Sequence, residues 1–188
     1  MPLEDFSIVE QEALVARQLK RQPAIKFQIE TKCAYGWPAV VRNLPVTLSG
    51  EPNHNLYYLT CPWLRRELAR LEDSGYIDKL QRLLISDHQL DYDTKRAQKQ
   101  HVEEYRAAVR SCGAGDDKVQ NYIAGSGQPR LLKCLHAQMA FYLVHQDYLL
   151  GRAIAEKIGE LWCPDQRCSS WMAEIKMESM MTEPEPPR

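Results

Sequence analysis

Residues 56–72 read LYYLTCPWLRRELARLE, and this stretch decides the fold class. Its first part, LYYLT, is aromatic and apolar and reads as a short strand. Pro62 then opens a helix, because its missing N–H costs nothing in a first turn. Leu64, Leu68 and Leu71 fall on one stripe at helical spacing, and Gly75 ends the run. A strand that hands directly to a helix excludes both the all-α and the all-β classes. The junction also places Cys61 at the helix N-cap. A thiol there faces unpaired backbone N–H groups and the positive end of the helix dipole, which favour thiolate. The plainer reading is a cap at a strand–helix junction.

Outward toward the N-terminus, Ser7 and Glu10 form the S-x-x-E capping box of a helix that stops before Pro23. AIKFQIE (24–30) alternates Ile25, Phe27 and Ile29 with polar neighbours, the pattern of a half-buried strand. KCAYGWPAVVRNLPV (32–46) places Cys33 in a Gly/Pro turn before a short strand around Val40 and Val41. LSGEPNHN (48–55) is a polar loop. Outward toward the C-terminus, YIDKLQRLL (76–84) and DTKRAQKQHVEEYRAAVRS (93–111) read as helices, and the second carries charge on most faces, as a solvated surface does. CGAGDDK and IAGSGQP are loops, and the latter is expected to enter a helix carrying RLLKCLHAQMAFY (130–142). LGRAIAEKIGELW (150–162) is expected to be the last helix of the core.

The resulting expectation is a helix-rich α+β domain over 1–176. It comprises an N-terminal helix (1–22), a small sheet region (24–60), a helical region (61–162) and a Cys-containing turn (163–176). A disordered tail (177–188) follows. No internal repeat interrupts this order.

With 188 residues, 44% hydrophobic and 26% charged, the chain buries a core without needing a metal or disulfide to hold it. A net charge of -1 gives no general pull toward nucleic acid or anionic membrane. No apolar run approaches the roughly 20 residues that span a bilayer. The acidic N-terminus MPLEDFSIVEQEAL is unlike a secretory signal, so a cytoplasmic location is expected. There the six cysteines are expected to be reduced, and each alone reads as a small buried hydrophobe.

Residues two apart on a regular helix point about 200° apart. Cys134 and His136 are therefore expected in separate environments, unable to share one ion or one proton. His136 borders a stripe of Leu131, Leu132, Leu135, Met139, Tyr142 and Leu143. Cys134 lies with Gln138, Phe141 and His145. In WCPDQRCSSW (162–171), Cys163 and Cys168 form a C-x4-C pair within the broad range of metal-ligand spacings. With Cys33, Cys61 and Cys134 they supply enough thiols for one site drawn from separate segments. All-thiolate ligation suits zinc or an iron–sulfur cluster. Cys112 reads as incidental.

A competing pattern is the loop Gly125, Ser126, Gly127. Two glycines and a serine before a helix N-terminus, with Arg130 and Lys133 nearby, would suit an anion. Gly-Ser-Gly before a helix is more often a plain turn, and the loop does not match the G-x-x-x-x-G-K-[ST] phosphate motif.

Taken in order, CAYGWPAVVRNLPV, NLYYLTCPWLRRELARLEDSGYIDKL, EEYRAAVR and LLKCLHAQMAFYL resemble the bacterial family catalogued as domain of unknown function 501, over roughly residues 27–155. That resemblance marks Cys33, Gly36, Pro38, Cys61, Pro62, Lys133, Cys134 and His136 as family positions. Where relatives often carry histidine, this chain has Gln138, and where they sometimes do, Phe141. A histidine mechanism on that face is then left to His145. The resemblance implies no activity.

Three functions follow as expectations. The first is a metal-binding protein gathering Cys33, Cys61 and Cys134, with Cys163 or Cys168 as fourth ligand, and with Lys133 and His136 either supporting those ligands or contacting a substrate. The second is a metal-free enzyme or binding module for a phosphorylated small molecule, with Cys61 as nucleophile. Cys61 and His136 are the catalytic candidates. The third is an interaction protein that docks through its charged 93–110 helix.

Overall fold

The computed structural model describes residues 3–47, 53, 55–113 and 122–182. Among them, three strands and seven α-helices follow in the order α1 (Ile8–Leu19), β1 (Phe27–Lys32), β2 (Pro38–Asn43), β3 (Tyr57–Leu59), α2 (Pro62–Asp73), α3 (Tyr76–Ser86), α4 (His88–Ser111), α5 (Leu135–Val144), α6 (Leu149–Ile158) and α7 (Arg167–Thr182). This is the α+β, helix-rich architecture, with its small sheet near the N-terminus. No helix among the described residues is long and apolar enough to cross a membrane.

The sheet is antiparallel in the order β1-β2-β3, with Ile29 opposite Val41 and Val40 opposite Leu59. β1 alternates between half-buried and exposed residues, as its sequence suggests, whereas Pro38 to Val41 of β2 are all buried. Neighbouring residues of a strand point to opposite faces, so a central strand buried throughout needs cover on both sides. Val41 packs with Val15 and Leu19 of α1 on one side. On the other, Val40 and Leu59 join Leu64, Leu68, Leu135 and Met139 in the main core. At the β1–β2 turn, Gly36 has φ 85°, a left-handed conformation that glycine adopts without a Cβ penalty, and its N–H donates to the Cys33 carbonyl.

Helix α1 begins as expected: the Ser7 side chain accepts from the Glu10 amide, and Glu10 reaches back to the Ser7 amide. Three expectations need correction. Residues 163–176 are not a turn, because α7 starts at Arg167 and continues to Thr182, beyond the residue at which the tail was expected to begin. Met172 and Ile175 of α7 are buried with Leu14 and Trp37, and that apolar contact stabilises a helix whose own periodicity is weak. The expected tail beyond 182 lies outside the described residues, as do 48–52 and 54 of the polar loop and 114–118 of CGAGDDK.

The second correction concerns α4. The charged helix is not solvated on most faces: Ala97, Gln98, His101, Tyr105 and Val109 form a buried stripe at i, i+1, i+4, i+8 and i+12. Third, the helix carrying KCLHA starts at Leu135, after an extended Cys134 (φ -156°, ψ 123°). Leu131 and Leu132 precede that helix and do not belong to its stripe.

Candidate functional site

Four of the expected thiols meet. Cys33 at the β1–β2 turn, Cys61 at the α2 N-cap, Cys163 before α7 and Cys168 in its first turn all line one pocket, walled by Tyr35, Trp37, Trp63 and Trp162. The turn, the strand–helix junction and α7 come from segments up to 135 positions apart, so only the folded chain assembles them. Cys61, Cys163 and Cys168 are buried, Cys33 is half-buried, and all are free thiols. The void between the walls is about 10 Å³. No three of the four sulfurs lie within 4.8 Å of one another.

Hydrogen bonds hold the walls in place. Gln18 of α1 donates through Nε2 to Cys168 Sγ at 3.3 Å and to the Pro38 carbonyl at 2.9 Å. Trp37 Nε1 donates to Ser169 Oγ at 2.9 Å. The turn of β1–β2 and the start of α7 are thereby tied together around the sulfurs.

Burial pushes the Cys61 thiol up to about 11, against the pull of the Leu64 and Trp63 amides, and Cys33 and Cys163 raise it further. The thiolate expected from the helix N-terminus is therefore not favoured, because desolvation outweighs the amides. Burial likewise raises Cys168 to about 11, with the other three thiols adding to it, and raises Cys163. Cys61 and Cys168 resist ionisation partly because other thiols are near. A cation among them would reverse that balance by displacing the protons and binding the thiolates.

Cys134 is not in this pocket. Because Cys134 is extended and His136 lies in the first turn of α5, the two do not point apart as on a regular helix. Cys134 Sγ approaches His136 Nδ1 at 3.8 Å. Glu72, at the C-terminal end of α2, completes the group: its Oε1 lies 3.2 Å from His136 Nδ1 and accepts the Leu135 amide at 2.6 Å. The carboxylate thus caps α5, a role the Cys134 side chain leaves open. His136 Nε2 lies 3.0 Å from the Arg65 carbonyl. Burial opposes charge on His136, but Cys134 and Glu72 together outweigh it and raise its pKa to about 9. Glu72 escaped notice in the sequence because its partners lie more than 60 positions away. LE-x-x-G showed a helix end there and nothing more.

The anion loop is arranged differently from its expectation. No helix starts behind Gly125, Ser126 and Gly127: the next α-helix begins at Leu135. Gly125 and Ser126 spend their amides on Tyr122 and Ile123, and Ser126 Oγ donates to the Gln128 carbonyl. Lys133 Nζ donates to the Gly125 carbonyl at 2.8 Å, and Arg130 pairs with the buried Asp91. Both cations are therefore engaged within the chain. Cys61 faces the thiol pocket. His145 is also far from Cys134: it caps the opposite end of the ten-residue α5, bound to Gln100 and Glu104, and packs against Phe141. Gln138 is buried and accepts from Tyr148. Cys112 is exposed at the end of α4.

The profile of the family described as "Protein of unknown function (DUF501)" matches residues 29–156, well over half of the chain. No curated protein and no solved structure matches it. The matched span contains Cys33, Cys61, Glu72, Cys134 and His136, while Cys163 and Cys168 lie beyond it.

Proposed function

We propose that this chain, which belongs to the DUF501 family of proteins of unknown function, is a cysteine-ligated metalloprotein whose ligands are Cys33, Cys61, Cys163 and Cys168. One observation carries the reading: four free thiols from separate segments line a single apolar pocket, and the neighbouring thiols add to the resistance of Cys61 and Cys168 to ionisation. Relative to the sequence-based set, Cys134 leaves, and Cys163 and Cys168 enter together.

Two measures bear on the occupant and favour different ones. A tetrahedral zinc with ~2.3 Å Zn–S bonds would draw sulfurs to about 3.5 to 4 Å apart. No three of the four sulfurs lie that close, so zinc would have to draw them inward, whereas an iron–sulfur core spans more widely set sulfurs. The 10 Å³ void, by contrast, suits a single ion. Buried thiolate ligation among aromatic walls is compatible with either, and both suit soft sulfur donors.

The experiment is metal and acid-labile sulfide analysis, with a UV–visible spectrum, on full-length protein purified without oxygen and without an affinity metal column. Iron with matching sulfide and a brown colour supports a cluster; one zinc per chain supports a structural zinc. The metal held by the pocket must disappear in Cys61→Ser and persist in Cys134→Ser. Metal-free protein would sink the reading and turn the search to phosphorylated ligands.

A further inference from the structure

The group at the α2–α5 junction has a feature that its packing does not require. A backbone carbonyl only accepts hydrogen bonds, so the 3.0 Å contact to the Arg65 oxygen places a proton on His136 Nε2. In the neutral ring, Nδ1 then presents a bare lone pair. That lone pair faces Glu72 Oε1 at 3.2 Å and Cys134 Sγ at 3.8 Å. All three donor atoms lie within 4.8 Å of one another. Three electron-rich atoms held this close share something positive among them: the Cys134 thiol proton, a proton on Nδ1, or a metal ion.

The distances fit an ion. Bonds of ~2.3 Å to sulfur and about 2.0–2.1 Å to nitrogen and oxygen, at tetrahedral angles, set N and S roughly 3.5 Å apart and N and O roughly 3.3 Å apart. The observed 3.8 and 3.2 Å lie within a few tenths of these values. The surroundings fit as well. A histidine ligand generally donates its other ring N–H to a carbonyl or carboxylate, which fixes the tautomer, and Arg65 does this here. The side chains of His136 and Glu72 are only 27% and 26% exposed, enough for solvent to reach the group without dissolving it.

We propose that Glu72, Cys134 and His136 form a second metal site, taking one divalent transition ion of the zinc type and leaving a coordination position open to solvent. Mixed sulfur, nitrogen and oxygen donors suit such an ion. Three protein ligands with one open position are the pattern of sites that activate a water or a substrate oxygen; four closed ligands are the structural pattern. The site stands independently of the four-thiol pocket, since it shares no ligand with it.

Cobalt(II) is the probe, added to anaerobic full-length protein whose metal content is already known. Its visible absorption reports a thiolate bond through a charge-transfer band. The expected result is one equivalent bound with a single-thiolate band, accompanied by proton release. Glu72→Gln and Cys134→Ser should each weaken binding at least ~10-fold, the loss that even outer-partner changes bring. Cys33→Ser should leave that band in place, whatever becomes of the four-thiol pocket. Should Cys134→Ser fail to fold by circular dichroism, Glu72→Gln decides, because its amide oxygen still accepts the Leu135 N–H. Absence of the band in the wild-type chain, or its survival at undiminished affinity in Glu72→Gln, overturns the proposal.

Discussion

The thiol pocket and the Glu72–Cys134–His136 group sit near opposite ends of α2, Cys61 capping its start and Glu72 closing its end. They bring donor side chains together in different ways. The pocket collects identical donors from a hairpin turn, a helix cap and the entry of α7, and encloses them in aromatic rings. The α2–α5 group collects three different donors at one helix junction and leaves them partly wet. Closed, uniform and dry suits holding a metal or cluster; open, mixed and half-exposed suits exchange with a ligand. The difference teaches that the family's cysteines need not serve one centre.

The comparison breaks most directly by removing one region's ligand and reading both. We expect Cys163→Ser to empty the pocket and to cost about 4 kcal/mol in denaturant unfolding, the linkage for a ligand held at a thousand times its Kd. Cys134→Ser should leave the pocket's metal intact. Equal losses in the two variants would mean the regions act as one centre, contrary to our assignment.

Next in size is Gly151→Ala. A Cβ on Gly151 of α6 would stand 2.2 Å from Tyr142 Cβ on α5, so the two helices must part. Overpacking of this kind costs typically 1–3 kcal/mol. Since α5 presents His136, cobalt binding at the junction should weaken, while the pocket, which contains no α5 residue, keeps its content. Unchanged stability would show that α6 yields freely at this contact.

How much of this was legible in the sequence differs between the two regions for a physical reason. The capping box at Ser7, the hairpin, the LYYLT strand and α2 follow local rules, and the structure has them. A gathering of Cys33 and Cys61 with Cys163 or Cys168 was expected from the thiols alone, but not that both C-terminal cysteines would enter and Cys134 stay out, because that depends on α7 packing Met172 and Ile175 against the N-terminal elements. Cys134 was misassigned because the ten-residue α5 starts one position later than the argument about 200° spacing needs. At an extended N-cap, the i,i+2 rule for helices does not hold. The buried stripe of α4 hid behind Lys and Arg side chains that flank it.

Titration separates the regions further. In metal-free protein, His136 is raised from 6.5 to about 9 by its partners, against its burial. A raised group stabilises the fold fully below its unfolded value, and that contribution is lost as pH climbs through the folded value. Stability should thus decline between about pH 6.5 and 9 by roughly 1–2 kcal/mol, less than the full shift because the ring is partly wet. Glu72→Gln should flatten this window. Cys61 and Cys168, raised by burial from 9.0 to about 11, act in the adjoining window and should be untouched by that change. A decline that survives Glu72→Gln would assign the lower window to another group.

The smallest effect tests how the pocket is supported from outside. Ser7→Ala removes the reciprocal capping bonds of α1, worth about 1 kcal/mol. Helix α1 packs along α7 and carries Gln18, whose amide holds both Cys168 Sγ and the Pro38 carbonyl. Fraying at Ser7 lies three turns from Gln18, and helix ends fray locally, so the C-terminal half of α1 keeps its place. Urea unfolding should therefore show the lower stability, while the pocket's metal content and the cobalt band at the junction stay at wild-type values. Loss of pocket metal in Ser7→Ala would show that α1 and α7 open as a unit, which makes the α1–α7 pair the gate of the closed region and leaves the α2–α5 junction the more rigid of the two.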